Sequence, residues 1–100
     1  MEVEQQNLNI QTTQNSRLSE IDWENLLFGK IFSDHMFCME YVNGEWTKQK
    51  ITPYENISLS PATSAIHYGQ SCFEGMKAHR NEKDEVVLFR PYDNAKRFNQ

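Results

Sequence analysis

The sequence has 100 residues, enough for one modest domain and core; 38% are hydrophobic, 12% aromatic and 24% charged. This composition excludes a strongly disordered chain, although a mean hydropathy of −0.75 is wet, and four glycines and three prolines exclude collagen-like and linker classes. The net charge is −4 with scattered Lys and Arg, so no basic stripe for nucleic acid is present, and no apolar run reaches the roughly 20 residues of a membrane span.

Met1 to Gln6 is acidic and lacks an apolar stretch, so neither a secretory signal nor an Arg-rich presequence is expected, and the protein is placed in the cytoplasm. Residues 1–17 are dominated by Gln and Asn and carry few large apolar groups. They predict a flexible arm, followed by a small domain over 18–100. Ser19 and Asp22 are spaced like a capping box, and Ile21, Trp23, Leu26 and Leu27 share one face, which predicts a short helix over 20–27 ended by Gly29. Met36 to Tyr41 and Glu45 to Ile51 flank Asn43-Gly44, the strongest short-range signal for a β-hairpin, because a type I′ turn needs positive φ at both central residues. Residues 52–61 read as loop and 62–66 as one helical turn. Cys72 to His79 predicts a strand with a bulge or close backbone approach at Gly75. A polar turn follows at 81–84. Val86 to Phe89 then predicts a strand buried on both faces and closed by Pro91. Tyr92 to Gln100 predicts a helix, with Asp93 near its positive end. No stop signal follows, which leads to the expectation that the protein continues beyond Gln100.

No self-contained catalytic set is visible. Cys38 and Cys72 form no CxxC and are expected to be reduced thiols, with a single disulfide as the alternative. His35, His67 and His79 match no ligand spacing with these cysteines, so no metal site is expected. Two features remain. His67 to Lys77 sets polar and aromatic residues around Gly69 and Gly75, and reads equally as a pocket wall or an ordinary helix-to-strand turn. Arg97, after Lys96, has the forked geometry that suits phosphate, although a solvated surface arginine is the commoner use.

The stretches Phe28 to Met36, Ile51 to Tyr54, Pro61-Ala62, His67 to Gln70, Phe73 to Ala78 and Leu88 to Pro91, with Asn94 and Arg97, closely resemble the branched-chain amino acid aminotransferases. These are pyridoxal 5′-phosphate enzymes of fold type IV. The resemblance runs from about Phe28 to Phe98 and implies an α+β fold: the small N-terminal domain of such an enzyme, an antiparallel sheet with flanking helices. It implies that Arg97 holds the cofactor phosphate. It places Tyr68 in the substrate pocket across a homodimer interface. Phe73 and Phe28 become apolar pocket residues, and Gly75 a point where backbone approaches substrate. Glu74 and His67 are read as structural, and Lys77 has no firm role.

The family's Schiff-base lysine lies downstream of the matched region. None of Lys30, Lys48, Lys50, Lys77, Lys83 or Lys96 stands at its position. The resemblance therefore implies part of an enzyme that passes the amino group of Leu, Ile or Val to 2-oxoglutarate, with the 100 residues alone inactive. It also implies that surface normally covered by the large domain is left open. The alternatives are a non-catalytic ligand- or subunit-binding module of the same fold, and a D-amino acid aminotransferase or aminodeoxychorismate lyase.

Overall fold

The computed structural model describes residues 8–100, so the first seven residues of the expected arm lie outside it. The chain divides into two compact units, Met1–Ile57 and Ser58–Gln100. Together they hold short strands and short helices, an α+β composition.

The first unit is built on a hairpin of β2 (His35–Val42) and β3 (Glu45–Pro53). Asn43 at φ 53° and Gly44 at φ 84° make the turn, as the Asn-Gly pair requires. The pairing runs from Val42↔Glu45 to His35↔Pro53, with a bulge near Cys38 and Glu40. The extra residue lies on β3, where Lys48 is part of the bulge at φ 55°, and its Nζ reaches Glu40 Oε2 at 3.0 Å. A bulge with one residue in the left-handed region absorbs an extra position without breaking the ladder.

The expected antiparallel sheet is corrected in one respect. Asn9–Ile10 forms β1, which pairs in parallel with Lys50–Ile51, so the three-stranded sheet is mixed, in the order β1-β3-β2. Hydrogen bonds continue this docking. Gln11 N donates to Ile51 O, Thr13 N to His35 Nε2, and Ser16 Oγ and Arg17 N to the Asp34 carboxylate. Residues 9–17 are thus tied to the sheet by backbone and polar groups, which a reading based on apolar burial does not register.

The expected helix over 20–27 does not form. Leu18–Glu20 makes a single 3-10 turn. Asp22 then accepts from Glu24 N at 3.1 Å and from Asn25 Nδ2 at 2.8 Å, closing a local turn. Short Asx side chains compete with the helix in this way.

In the second unit α1 spans Ser64–Tyr68 and ends at Gly69, whose φ of 62° supplies the left-handed cap. The strand expected over 72–79 is reduced to β4 (Ala78–Arg80), which pairs with β5 (Val86–Leu88). Asn81 shapes the turn between them, its Oδ1 accepting from the Lys83 and Glu85 backbone N–H groups. Pro91 does not close the strand but starts helix α2 (Pro91–Phe98). Proline suits that position because the first helical N–H has no partner to lose. The Asn99 N–H folds back onto Ala95 and Lys96 carbonyls at the helix end.

Among the described residues no hydrophobic side chain is buried; Thr52, at 2% exposure, is the buried position. The expectation of one modest core is therefore not met. Val86, Val87 and Leu88 are exposed, not buried on both faces. The cause is layering: a two-stranded ribbon, or a single three-stranded sheet, buries its apolar face only against a second layer.

Candidate functional site

The most organised polar cluster of the second unit joins the segment after α1 to helix α2. Asn94 and Arg97 stand three residues apart on α2, so they share a face. Asp93 completes the first turn, its carboxylate 2.5 Å from Arg90 Nε. From the other segment comes Glu74, whose side chain is 16% exposed.

Glu74 accepts at both oxygens. Oε2 takes Arg97 Nε at 2.7 Å, and Oε1 takes Arg97 Nη2 together with Asn94 Nδ2 at 2.9 Å. Asn94 Nδ2 also donates to the Gly75 carbonyl at 2.7 Å. One amide thereby ties a carboxylate and the adjoining backbone to the same helix. The bonds from Arg97 are the main reason that the Glu74 carboxyl is pulled down to about 2, with Asn94 and the Gly75 N–H adding to them against partial desolvation. The same pair raises the Arg97 guanidinium further above its already high value. Both groups are charged throughout the physiological range.

Arginine carries five N–H donors in a planar fork. Glu74 occupies the Nε/Nη2 edge. The Nη1/Nη2 edge is a second parallel donor pair, and Arg97 is 62% exposed. That edge has the shape and charge for bidentate binding of a phosphate.

Of the other expected site residues, Gly75 joins this cluster, while no bond ties Tyr68, Phe73 or Phe28 to it. Tyr68 is the last residue of α1, and Phe73 directly precedes Glu74; they are 80% and 93% exposed. Gly75 belongs to the cluster through its carbonyl, and no atom lies within 4 Å of where a Cβ would stand. Phe28 is fully exposed in the first unit. It borders an open apolar groove of about 480 Å³ formed with Leu26, Leu27, Ile31 and Phe32 around Gly29. Cys38 and Cys72 are free thiols. Among the described residues no group of three or more His, Cys, Asp or Glu is placed to hold a metal ion, and no helix is long and apolar enough to cross a membrane.

Two members of the cluster were not among the expected site residues. Glu74 reads as structural from sequence, and Asn94 was marked only as part of a motif. Their partners are 19 to 23 positions away, beyond any helical or strand period. The signal that was available is chemical: an acidic residue next to a glycine, with an Asn and an Arg at helical spacing further on.

No family profile matches the chain. Individual curated proteins match it closely. It is 48% identical over 80 residues to branched-chain-amino-acid aminotransferase 2 of Bacillus subtilis, covering 79% of this chain and 22% of that protein. With the branched-chain-amino-acid aminotransferase of Helicobacter pylori it shares 44% over 80 residues, covering 80% of this chain and 24% of that one. The protein of the same name from Monosiga brevicollis matches at 44% over 94 residues, or 93% of this chain and 24% of the relative.

The chain is related to the branched-chain aminotransferases. It spans about a quarter or less of the length of these relatives. The similarity extends to branched-chain aminotransferases named as chloroplastic in Arabidopsis thaliana and mitochondrial in Schizosaccharomyces pombe. The chain that is similar to these proteins carries the Glu74–Asn94–Arg97 cluster and the exposed side chains of Phe28, Tyr68 and Phe73.

Proposed function

We propose that this chain is the N-terminal, small-domain part of a fold type IV branched-chain aminotransferase that transfers the amino group of Leu, Ile or Val to 2-oxoglutarate. The observation that carries the reading is 40–48% identity to proteins of that name from Bacillus subtilis, Helicobacter pylori, Monosiga brevicollis and Arabidopsis thaliana. Pyridoxal 5′-phosphate, when bound, supplies the electron sink for the reaction. The donor set of the second unit fits one part of it. Arg97 is charged and anchored along one edge, and its other edge can take a phosphate.

The other residues act on the substrate. Tyr68, Phe73 and Phe28 are aromatic and exposed within their own units, and they are assigned to bind an aliphatic side chain by burial and to exclude water. Such a pocket discriminates weakly between near-isosteres, which suits a family acting on three branched amino acids. Gly75, lacking a Cβ, lets substrate approach the backbone. A homodimer in the cytoplasm belongs to the same reading.

The test is an amino-transfer assay on the full-length gene product, with L-leucine and 2-oxoglutarate, beside D-alanine as an alternative donor. Turnover of L-leucine well above D-alanine is expected, with none from the 100 residues alone. A preference for D-alanine, or turnover by the 100 residues alone, overturns the reading. Sedimentation of the full-length product at twice its monomer mass is expected.

A further inference from the structure

We infer that Glu74 and Asn94 are positioning residues that hold the Arg97 guanidinium in one orientation, with its Nη1/Nη2 edge presented to a phosphate. The inference rests on the reading of Arg97 as the phosphate-holding residue and assigns the device that makes it effective. An exposed arginine samples many rotamers, and ordering it on binding weakens affinity. Here the ordering is already made. Glu74 takes Nε and Nη2 together, which sets both the position and the plane of the fork. Glu74 is itself held, being mostly covered and bonded at Oε1 by Asn94. Asn94 closes the arrangement by binding the Gly75 carbonyl, so the backbone beside Glu74 is fixed to the helix that carries Arg97.

The opposite reading is that the Glu74 carboxylate competes with an anion for Arg97. The geometry argues against it, because Glu74 uses the Nε side of the fork and leaves the other edge. The two readings also predict opposite signs. A positioning residue, once removed, weakens phosphate binding, whereas a competitor, once removed, strengthens it.

The experiment titrates the cofactor-stripped full-length product with pyridoxal 5′-phosphate and, separately, with pyridoxal, which lacks the phosphate, following protein fluorescence. The variants are Glu74→Ala, Glu74→Gln, Asn94→Ala and Arg97→Ala, each checked for folding by circular dichroism. Glu74→Ala and Asn94→Ala are expected to weaken pyridoxal 5′-phosphate about two- to tenfold while leaving pyridoxal unchanged. Glu74→Gln keeps one acceptor and should fall between wild type and Glu74→Ala. If Glu74→Ala does not fold, the Gln and Asn94 variants carry the test. Equal loss for pyridoxal and its phosphate would mean a general structural role and overturn the inference. So would unchanged or tighter phosphate binding in the Glu74 variants while Arg97→Ala weakens it, and the phosphate reading of Arg97 would then stand. If Arg97→Ala leaves pyridoxal 5′-phosphate affinity unchanged, that reading fails and the inference with it.

Discussion

Each of the two units places an arginine beside a carboxylate, and the two pairs are put to different use. In the first unit Arg17 Nη2 donates to the Ser33 carbonyl at 3.0 Å and to the Phe32 carbonyl at 3.4 Å, while its Nε is 3.7 Å from Asp34. Its guanidinium also lies 5.9 Å over the Tyr54 ring, which stacks on Phe32. Asp34 is occupied by Ser16 Oγ and the Arg17 N–H. The donors and acceptors are thus turned inward to hold residues 13–17 against the sheet. In the second unit the carboxylate meets the side of the arginine fork and leaves its end. The same pair of residue types is a latch in one place and a presented donor in the other. What differs is whether the guanidinium's bonds go to backbone or to a carboxylate along one edge.

The largest expected effect breaks that comparison directly. Arg97→Ala should lower pyridoxal 5′-phosphate affinity in the full-length product about tenfold or more, as loss of a charge-assisted bond does, whereas Arg17→Ala should leave it unchanged. Fluorescence titration reads both. Next in size, Asp34→Ala should release residues 9–17 from the sheet. Amide hydrogen exchange at Ile10, Gln11 and Thr13 is expected to speed up markedly, while exchange across the Asn43-Gly44 turn stays slow.

The pH response sharpens the same contrast. Arg97 chiefly, and Asn94 after it, hold the Glu74 carboxyl down to about 2. The unfolded chain then binds more protons than the folded one in acid. The stabilisation is complete above the ordinary glutamate value and is lost as pH falls towards 2. Asp34 is lowered in the same direction, chiefly by Ser16 and then by the Arg17 N–H. Carboxyl carbon shifts followed by NMR should show Glu74 still ionised at pH 4, and Arg97→Ala should move its titration up towards the usual range.

Two smaller effects test backbone and surface. Gly44→Ala places a Cβ at φ 84° with no steric neighbour, so its effect is purely conformational; a loss of about 1 kcal/mol is expected in denaturant titration. Arg80 and Asp84 pair at 3.2 Å with both side chains at least 70% exposed. Arg80→Ala should change stability by about 0.5 kcal/mol or less.

How much of this was legible depended on the range of the forces involved. The hairpin turn and the β4–β5 turn were readable because Asn-Gly and Asn81 to Asp84 act within a few residues; the last helix was expected only from Tyr92, because a proline also suits the end of a strand. The helix expected at 20–27 was not, because its apolar face had nothing to pack on and Asp22 bonded its own neighbours instead. Strand β1 escaped notice because two residues, Asn9 and Ile10, carry no periodicity; their pairing with Lys50 and Ile51 crosses 41 positions. Arg97 was marked by resemblance, but its partners Glu74 and Asn94 could not be assigned to it without the fold.

The sequence by itself therefore determined the local turns and the resemblance to branched-chain aminotransferases. These follow from φ preferences, side-chain chemistry and motif order, all of which act over short spans. Only the tertiary structure decided which edge of the Arg97 fork is used, that Asn94 ties Glu74 and Gly75 to α2, and that residues 9–17 join the sheet. The reason is physical: a hydrogen bond requires atoms within about 3 Å, and for residues 20 or more positions apart that proximity is set by how the chain folds back.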